Sequence, residues 1–109
     1  MLLLGIICKD GAQVKEIAEM LYEYTHMKPH HKNQAAVEWQ LPLLTIQVLT
    51  IGHSLGCRFD MAFYDEEIDE QDVKEIIYPC CYYFGAGKPR PLKEFLLRFL
   101  AWKNTITNA

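Results

Sequence analysis

Apolar positions divide this chain into short blocks, and the spacing inside each block predicts its backbone. Leu2 to Cys8 is a continuous apolar run rich in Leu and Ile, which predicts a short buried strand. Asp10 follows, with Gln13 three residues later in a capping-box pattern. Val14, Ile17, Ala18 and Leu21 then recur at i, i+3, i+4 and i+7, so one face of a helix from about Gly11 to Tyr24 packs on the core. From Thr25 to Leu41 the periodicity fades. His26-Met27-Lys28-Pro29-His30-His31-Lys32 reads as an exposed connection, with Ala35 to Trp39 as a candidate extra turn of helix.

The second half is read the same way. Leu43 to Ile51 is rich in Leu and β-branched residues, and Cys57 to Tyr64 alternates, with Cys57, Phe59, Met61 and Phe63 opposite Arg58, Asp60 and Tyr64. Gly52 and Gly56 bracket the connection between them, so an antiparallel hairpin is the simplest arrangement. Asp69 caps a second helix, with Ile68 and Val73 placed as a hydrophobic staple, and Pro79 is expected to end it. Cys80 to Phe84 has the aromatic content of a strand, and Gly85-Ala86-Gly87 turns the chain toward a last helix beginning near Pro91. That helix carries Leu92, Phe95, Leu96, Phe99 and Trp102 on one side. Leu97 and Leu100 widen its apolar arc beyond the ~100° that one buried stripe needs. Deeper burial within the domain and contact with a second copy or a partner are the two ways to cover the surplus.

The resulting order, β-α-β-β-α-β followed by an extra C-terminal helix, is an α+β split βαβ arrangement that resembles the ferredoxin-like superfold. It predicts one domain over residues 1–104 and a polar tail over 105–109. The fold hosts enzymes, ligand sensors, RNA binders and small inhibitors, so it leaves the function to be argued from sites.

Composition narrows the classes. The chain has 109 residues, half of them apolar, with 2 Trp, 6 Tyr and 5 Phe, enough for one hydrophobic core. A net charge of −3 is too small for a polybasic membrane anchor or a strongly basic nucleic-acid binder. Its distribution is polarised: Asp65, Glu66, Glu67, Asp69, Glu70 and Asp72 form a run without a base, whereas Lys88 to Lys103 is mostly basic. The opening apolar run meets Lys9 and Asp10 before it reaches the length of a membrane span. Cys8, Cys57, Cys80 and Cys81 form no recognisable disulfide framework, so a reducing, cytoplasmic setting is expected.

Several motifs carry candidate chemistry. Gly52-His53-Ser54-Leu55-Gly56 matches G-x-S-x-G and resembles the nucleophile elbow of α/β-hydrolases, which implies Ser54 as nucleophile. The chain has no histidine after His53 to complete that triad, and a hairpin loop needing glycines is the plainer account. Leu2 to Leu21 resembles the strand-turn-helix that opens P-loop nucleotide kinases. Cys8, Gln13 and Val14 stand where that loop needs glycine, glycine and lysine. Gly85-Ala86-Gly87-Lys88 with Arg90 is a candidate anion turn, although Pro89 and Pro91 remove donors. His26, His30 and His31 with Cys80 and Cys81 are metal-capable but lack a zinc-type spacing, so neither metal nor cofactor is expected.

The acidic run has two readings: a solvated loop and helix start, or a row of carboxylates that imitates a phosphate backbone and occupies a basic groove on a nucleic-acid-binding protein. In size and character the chain is similar to small phage-encoded inhibitors, including anti-CRISPR proteins, and the resemblance implies a protein partner. The expectation is a non-catalytic interaction module. Its polar contacts are Asp65, Glu66, Glu67, Asp69, Glu70 and Asp72, and its apolar contacts are Leu97, Leu100 and Trp102, the last helix being also the candidate dimer surface. The alternatives are a small-molecule or nucleotide-binding regulatory domain, using Lys9-Asp10-Gly11 or Gly85 to Lys88, and a hydrolase through Ser54.

Overall fold

The structure, a computed structural model, describes residues 2–33, 35–82 and 88–107, with residues 82, 100 and 102–107 described by backbone alone. Strand β1 (Leu2–Cys8) enters helix α1 (Gly11–Thr25), and a hairpin follows, built from β2 (His31–Lys32) and β3 (Ala36–Gln40). Next come β4 (Leu44–Thr50), the single helical turn α2 (Ile51–Ser54) and β5 (Met61–Tyr64). A helical stretch then runs through α3 (Glu70–Asp72), a π-helical segment (Val73–Ile77) and α4 (Tyr78–Tyr82), before β6 (Arg90–Pro91) and α5 (Leu92–Thr107). No helix among the described residues is long and apolar enough to cross a membrane.

The six strands of the described residues share one mixed sheet in the order β2-β3-β4-β1-β5-β6. β1 pairs in parallel with β4 from Leu2↔Leu44 to Cys8↔Thr50, and in parallel with β5 from Leu4↔Met61 to Ile7↔Tyr64. β6 is parallel to β5, and only the β2–β3–β4 end is antiparallel. The strand order is therefore not that of the ferredoxin-like arrangement. The expected hairpin between Leu43–Ile51 and Cys57–Tyr64 does not form, because β4 and β5 lie on opposite sides of β1 and run the same way. Residues 51–60 form a crossover, in which the helical turn begins the return and Phe59 lies across the sheet.

Burial explains this choice. Ile6, Ile7 and Cys8 are each fully buried, and alternate residues of a strand face opposite ways, so β1 needs cover on both faces. On one face Ile6, Val48, Val37, Trp39 and Phe63 meet Val14, Ile17, Ala18 and Leu21 of α1 and Leu92 of α5. On the other, Ile7, Leu49 and Ala62 meet Phe59, Val73, Ile77, Cys80 and Cys81. Cys57 and Phe59 belong to this second face while Phe63 belongs to the first, so the predicted single alternating strand breaks before β5. Asp60 fixes the break: its carboxylate accepts from the Leu3 amide at 2.8 Å, and its own amide donates to the Leu3 carbonyl at 2.8 Å.

The helix starts follow the sequence closely. Asp10 accepts from the Gln13 amide at 2.9 Å, and the Gln13 side chain accepts in turn from the Lys9 amide at 2.9 Å. Asp69 accepts from the Gln71 amide at 2.8 Å, and Ile68 and Val73 are both buried in one cluster, as the staple requires. Pro79 does not end the helix. The preceding π-helical segment, closed by the Tyr78 amide on the Val73 carbonyl, gives a wider turn that accommodates a ring with no N–H to donate. Cys80–Tyr82 are accordingly helical where a strand was expected, and residues 83–87 lie outside the described residues. Ala35–Trp39 is likewise not a helical turn: Val37 and Trp39 are buried with Glu38 between them on the other face, the period of a strand.

In α5, Leu92 is buried and Phe95, Leu96 and Phe99 pack on the first core, with Phe95 5.3 Å from Phe63 between ring centroids. Leu97 is 66% exposed, and the side chains of Leu100 and Trp102 lie outside the described residues. The backbone of residues 105–107, assigned from sequence to a polar tail, continues the helix.

Gly5 is a point of close approach in the sheet. A Cβ built there would lie 2.7–2.8 Å from three ring atoms of Phe59, itself fully buried. Gly5→Ala is expected to destabilise the fold by about 1–3 kcal/mol in urea denaturation, as overpacking of a filled core does. Combining it with Phe59→Leu should give a loss smaller than the sum of the two single losses, because both act at one contact.

Candidate functional site

In an open sheet with a parallel core, ligands bind outside the carboxyl ends of the strands where the chain departs to opposite sides. That place lies between β1 and β5, where Lys9 and Asp10 face the acidic run that follows Tyr64. The structure fills it with the protein's own side chains. The Gln13 amide group donates to the Asp65 carboxylate, and the other Asp65 oxygen accepts from the Glu67 amide at 2.7 Å. Lys9 Nζ meets Glu67 Oε2 at 2.6 Å, and this carboxylate raises the lysine's pKa through the hydrogen bond and its charge. Asp65 is thereby buried to 7% exposure.

The acidic run is thus mostly employed in holding the fold. Glu66 Oε1 accepts from the Lys93 amide at 2.8 Å, which caps the start of α5, and Asp69 caps α3. Glu70 is 3.4 Å from Lys74, and Asp72 lies within the same helical start, half-buried. Glu66, Glu67, Asp69 and Glu70 remain on the surface, whereas Asp65 is withdrawn from any partner.

The other motifs separate. Ser54 is fully buried, and its hydroxyl donates to the Ile51 carbonyl at 2.7 Å, while the neighbouring His53 is exposed. A nucleophile elbow would present that hydroxyl to solvent. Val14, at the P-loop lysine position, is a core residue 1% exposed. Gly85–Gly87 lie outside the described residues. His30 Nδ1 accepts from the Gln40 amide at 3.0 Å, whereas Cys80 and Cys81 are buried in the opposite core. Among the described residues no group of three His, Cys, Asp or Glu side chains is placed to hold a metal ion. Burial pushes the Cys8 thiol up to about 12 and the Cys81 thiol up to about 11, which keeps both as inert core thiols.

A wide open space lies elsewhere. A groove of about 1050 Å3 runs between α1 and the β2–β3 hairpin. Its floor is apolar, with Val14 and Ala18 from the helix and Val37 and Trp39 from the sheet. Lys15 and Glu19 stand on the helix side, Lys28 and Lys32 on the hairpin side. The sheet creates this groove by extending past the reach of α1, and Trp39 shapes its wall by donating Nε1–H to the Met27 carbonyl at 2.9 Å. Asn33 tightens the hairpin by accepting from the Ala35 and Ala36 amides, both at 2.8 Å. Sequence reading placed these lysines in an exposed connection and overlooked the groove. The overlooked signal was the period-two pair Val37 and Trp39, which makes a strand that carries Lys28 and Lys32 back beside α1.

A smaller cleft of about 260 Å3 lies on the other face of the hairpin, with Glu38 in its lining. Hydrogen bonds from Gln47 at 2.6 Å and Gln40 at 2.9 Å hold the Glu38 carboxyl below its ordinary pKa, so these side chains are engaged with each other.

Comparison with protein-family models, with curated proteins and with solved structures finds no match.

Gln13 joins the two loops, so Gln13→Ala is expected to cost about 1–3 kcal/mol of stability by leaving buried Asp65 short of a donor. Chemical denaturation measures the loss, and an unchanged midpoint would show that the contact contributes nothing.

Proposed function

We propose that this chain is a non-catalytic interaction module whose contact surface is the lysine-rimmed groove between α1 and the β2–β3 hairpin. One observation carries the reading: the crevice where such a sheet would receive a small ligand is occupied by the Gln13–Asp65 and Lys9–Glu67 contacts, while the groove on its flank is open. Asp10, Asp65 and Glu67 also bring negative charge beside Lys9 at that crevice, which opposes a phosphate there. The buried Ser54 hydroxyl gives no support to acyl transfer.

The competing class, a nucleotide or amino-acid sensor, is separated by thermal unfolding. A ligand present at ~100 times its Kd would stabilise the native state by ~2.7 kcal/mol, roughly 10 °C or more for a domain of this size. No such rise is expected with nucleotides or free amino acids. A concentration-dependent rise with any of them would replace the interaction module by a sensor.

The inhibitor of a basic nucleic-acid-binding surface is a second reading, supported by the Glu67 and Glu70 side chains, which are 73% and 84% exposed at one edge of the molecule. Charge reversal at Glu70 tests it with little disturbance of the fold, since the exposed Glu70–Lys74 pair contributes at most about 1 kcal/mol. Under this reading, Glu70→Lys weakens binding to a polycation such as polylysine in low salt by several-fold. Unchanged binding would leave the groove as the sole contact.

A further inference from the structure

The groove also carries information about what lies in it. We infer that its occupant is an acidic amphipathic helical segment of a partner protein, seated with its apolar stripe on Val14, Ala18, Val37 and Trp39 and its carboxylates between Lys15, Lys28 and Lys32. This rests on the groove being the contact surface and adds the chemistry of the partner.

Three features select that chemistry. The first is size. The groove follows α1 from Gly11 to Tyr22, roughly 17 Å at ~1.5 Å per residue, which is about three helical turns. Its volume of about 1050 Å3 is at or above the upper end of small-ligand pockets, about 300–1,000 Å3, and suits a segment of chain.

The second is charge. Among the described residues the ammonium groups of Lys15, Lys28 and Lys32 have no hydrogen-bond or ion-pair partner, whereas Lys9 and Lys74 are paired with carboxylates. Among the described residues Glu19 is the one acid lining this groove. Three unpaired cations around one groove, on a chain of net charge −3, make a local attractor for an acidic segment.

The third is the placement of those cations on both rims and at different heights. Lys32 pairs in register with Val37, while Lys28 follows Met27, whose carbonyl is held by Trp39. Val37 and Trp39 are two residues apart, roughly 7 Å along the strand. A single head group on an acyl chain would engage one end of such an array. A helix with acids flanking an apolar stripe at i, i+3/i+4 and i+7 engages both rims at once.

A random dodecamer library displayed on phage and selected on the immobilised full chain tests the inference. Enriched peptides should be net acidic, with two or more large apolar residues at helical spacing. Their labelled synthetic versions should bind the chain with Lys15→Glu, Lys28→Glu and Lys32→Glu at least about ten-fold more weakly in fluorescence anisotropy. Lys74→Glu, away from the groove, should leave binding unchanged. All three groove lysines are exposed, and circular dichroism of the single and triple variants confirms that the fold is kept. Neutral or basic peptides that still depend on the groove lysines or on Ala18 would overturn the acidic occupant and leave the contact surface standing. Acidic peptides indifferent to all groove substitutions would overturn both, and so would a failure to enrich any sequence over the bare support. Displacement of the peptides by decanoate at equal concentration would replace the helical segment with a single-chain carboxylate.

Discussion

Everything in this molecule is arranged around β1, a strand enclosed on four sides. Its backbone is paired in parallel with β4 and β5, and its side chains are covered by α1 and α5 on one face and by the crossover and α3–α4 on the other. The absence of a side chain at Gly5 is part of that enclosure, since it admits the Phe59 ring directly against the sheet. A strand so placed fixes the point from which the chain departs in opposite directions, and it sets the loops after β1 and β5 side by side. The Asp65 and Glu67 contacts with Gln13 and Lys9 are a consequence of this central pairing.

The same geometry divides the surface into a closed part and an open part. At the carboxyl ends of the strands, carboxylates are used as caps and bridges, so their number overstates how much negative charge is available to another molecule. On the flank, two extra strands carry the sheet beyond the helix that covers it. The overhang leaves apolar floor between α1 and the hairpin, bordered by cations that no carboxylate satisfies among the described residues. Function is therefore sought where the fold has left its own groups unpaired.

Local features were legible in the sequence, and pairing was not. The Asp10 and Asp69 caps, the buried stripe of α1 and the packing residues of α5 depend on neighbours a few positions apart, and the structure places them as the pattern indicates. The hairpin between β4 and β5 failed because strand direction depends on which third strand lies between them, a long-range property. Leu2–Cys8, apolar throughout, held the clue, since a strand with two buried faces belongs in the middle of a parallel sheet. Pro79 misled for a different reason: a π-helical turn ahead of it removes the clash that normally ends a helix. The candidate site was half visible. The acidic run was noticed without its internal bonds, and Lys28 and Lys32 were noticed without the Trp39 contact that brings their loop against α1.

The rim strands of the sheet also set a limit on how another molecule can join it. β2 and β6 are only two residues long, and Pro91 in β6 has no amide hydrogen to offer. Such short borders are poor templates for an incoming extended chain, which needs a ladder of free backbone groups. This architecture resists edge-to-edge polymerisation, and recognition falls to shape and side-chain chemistry on its faces.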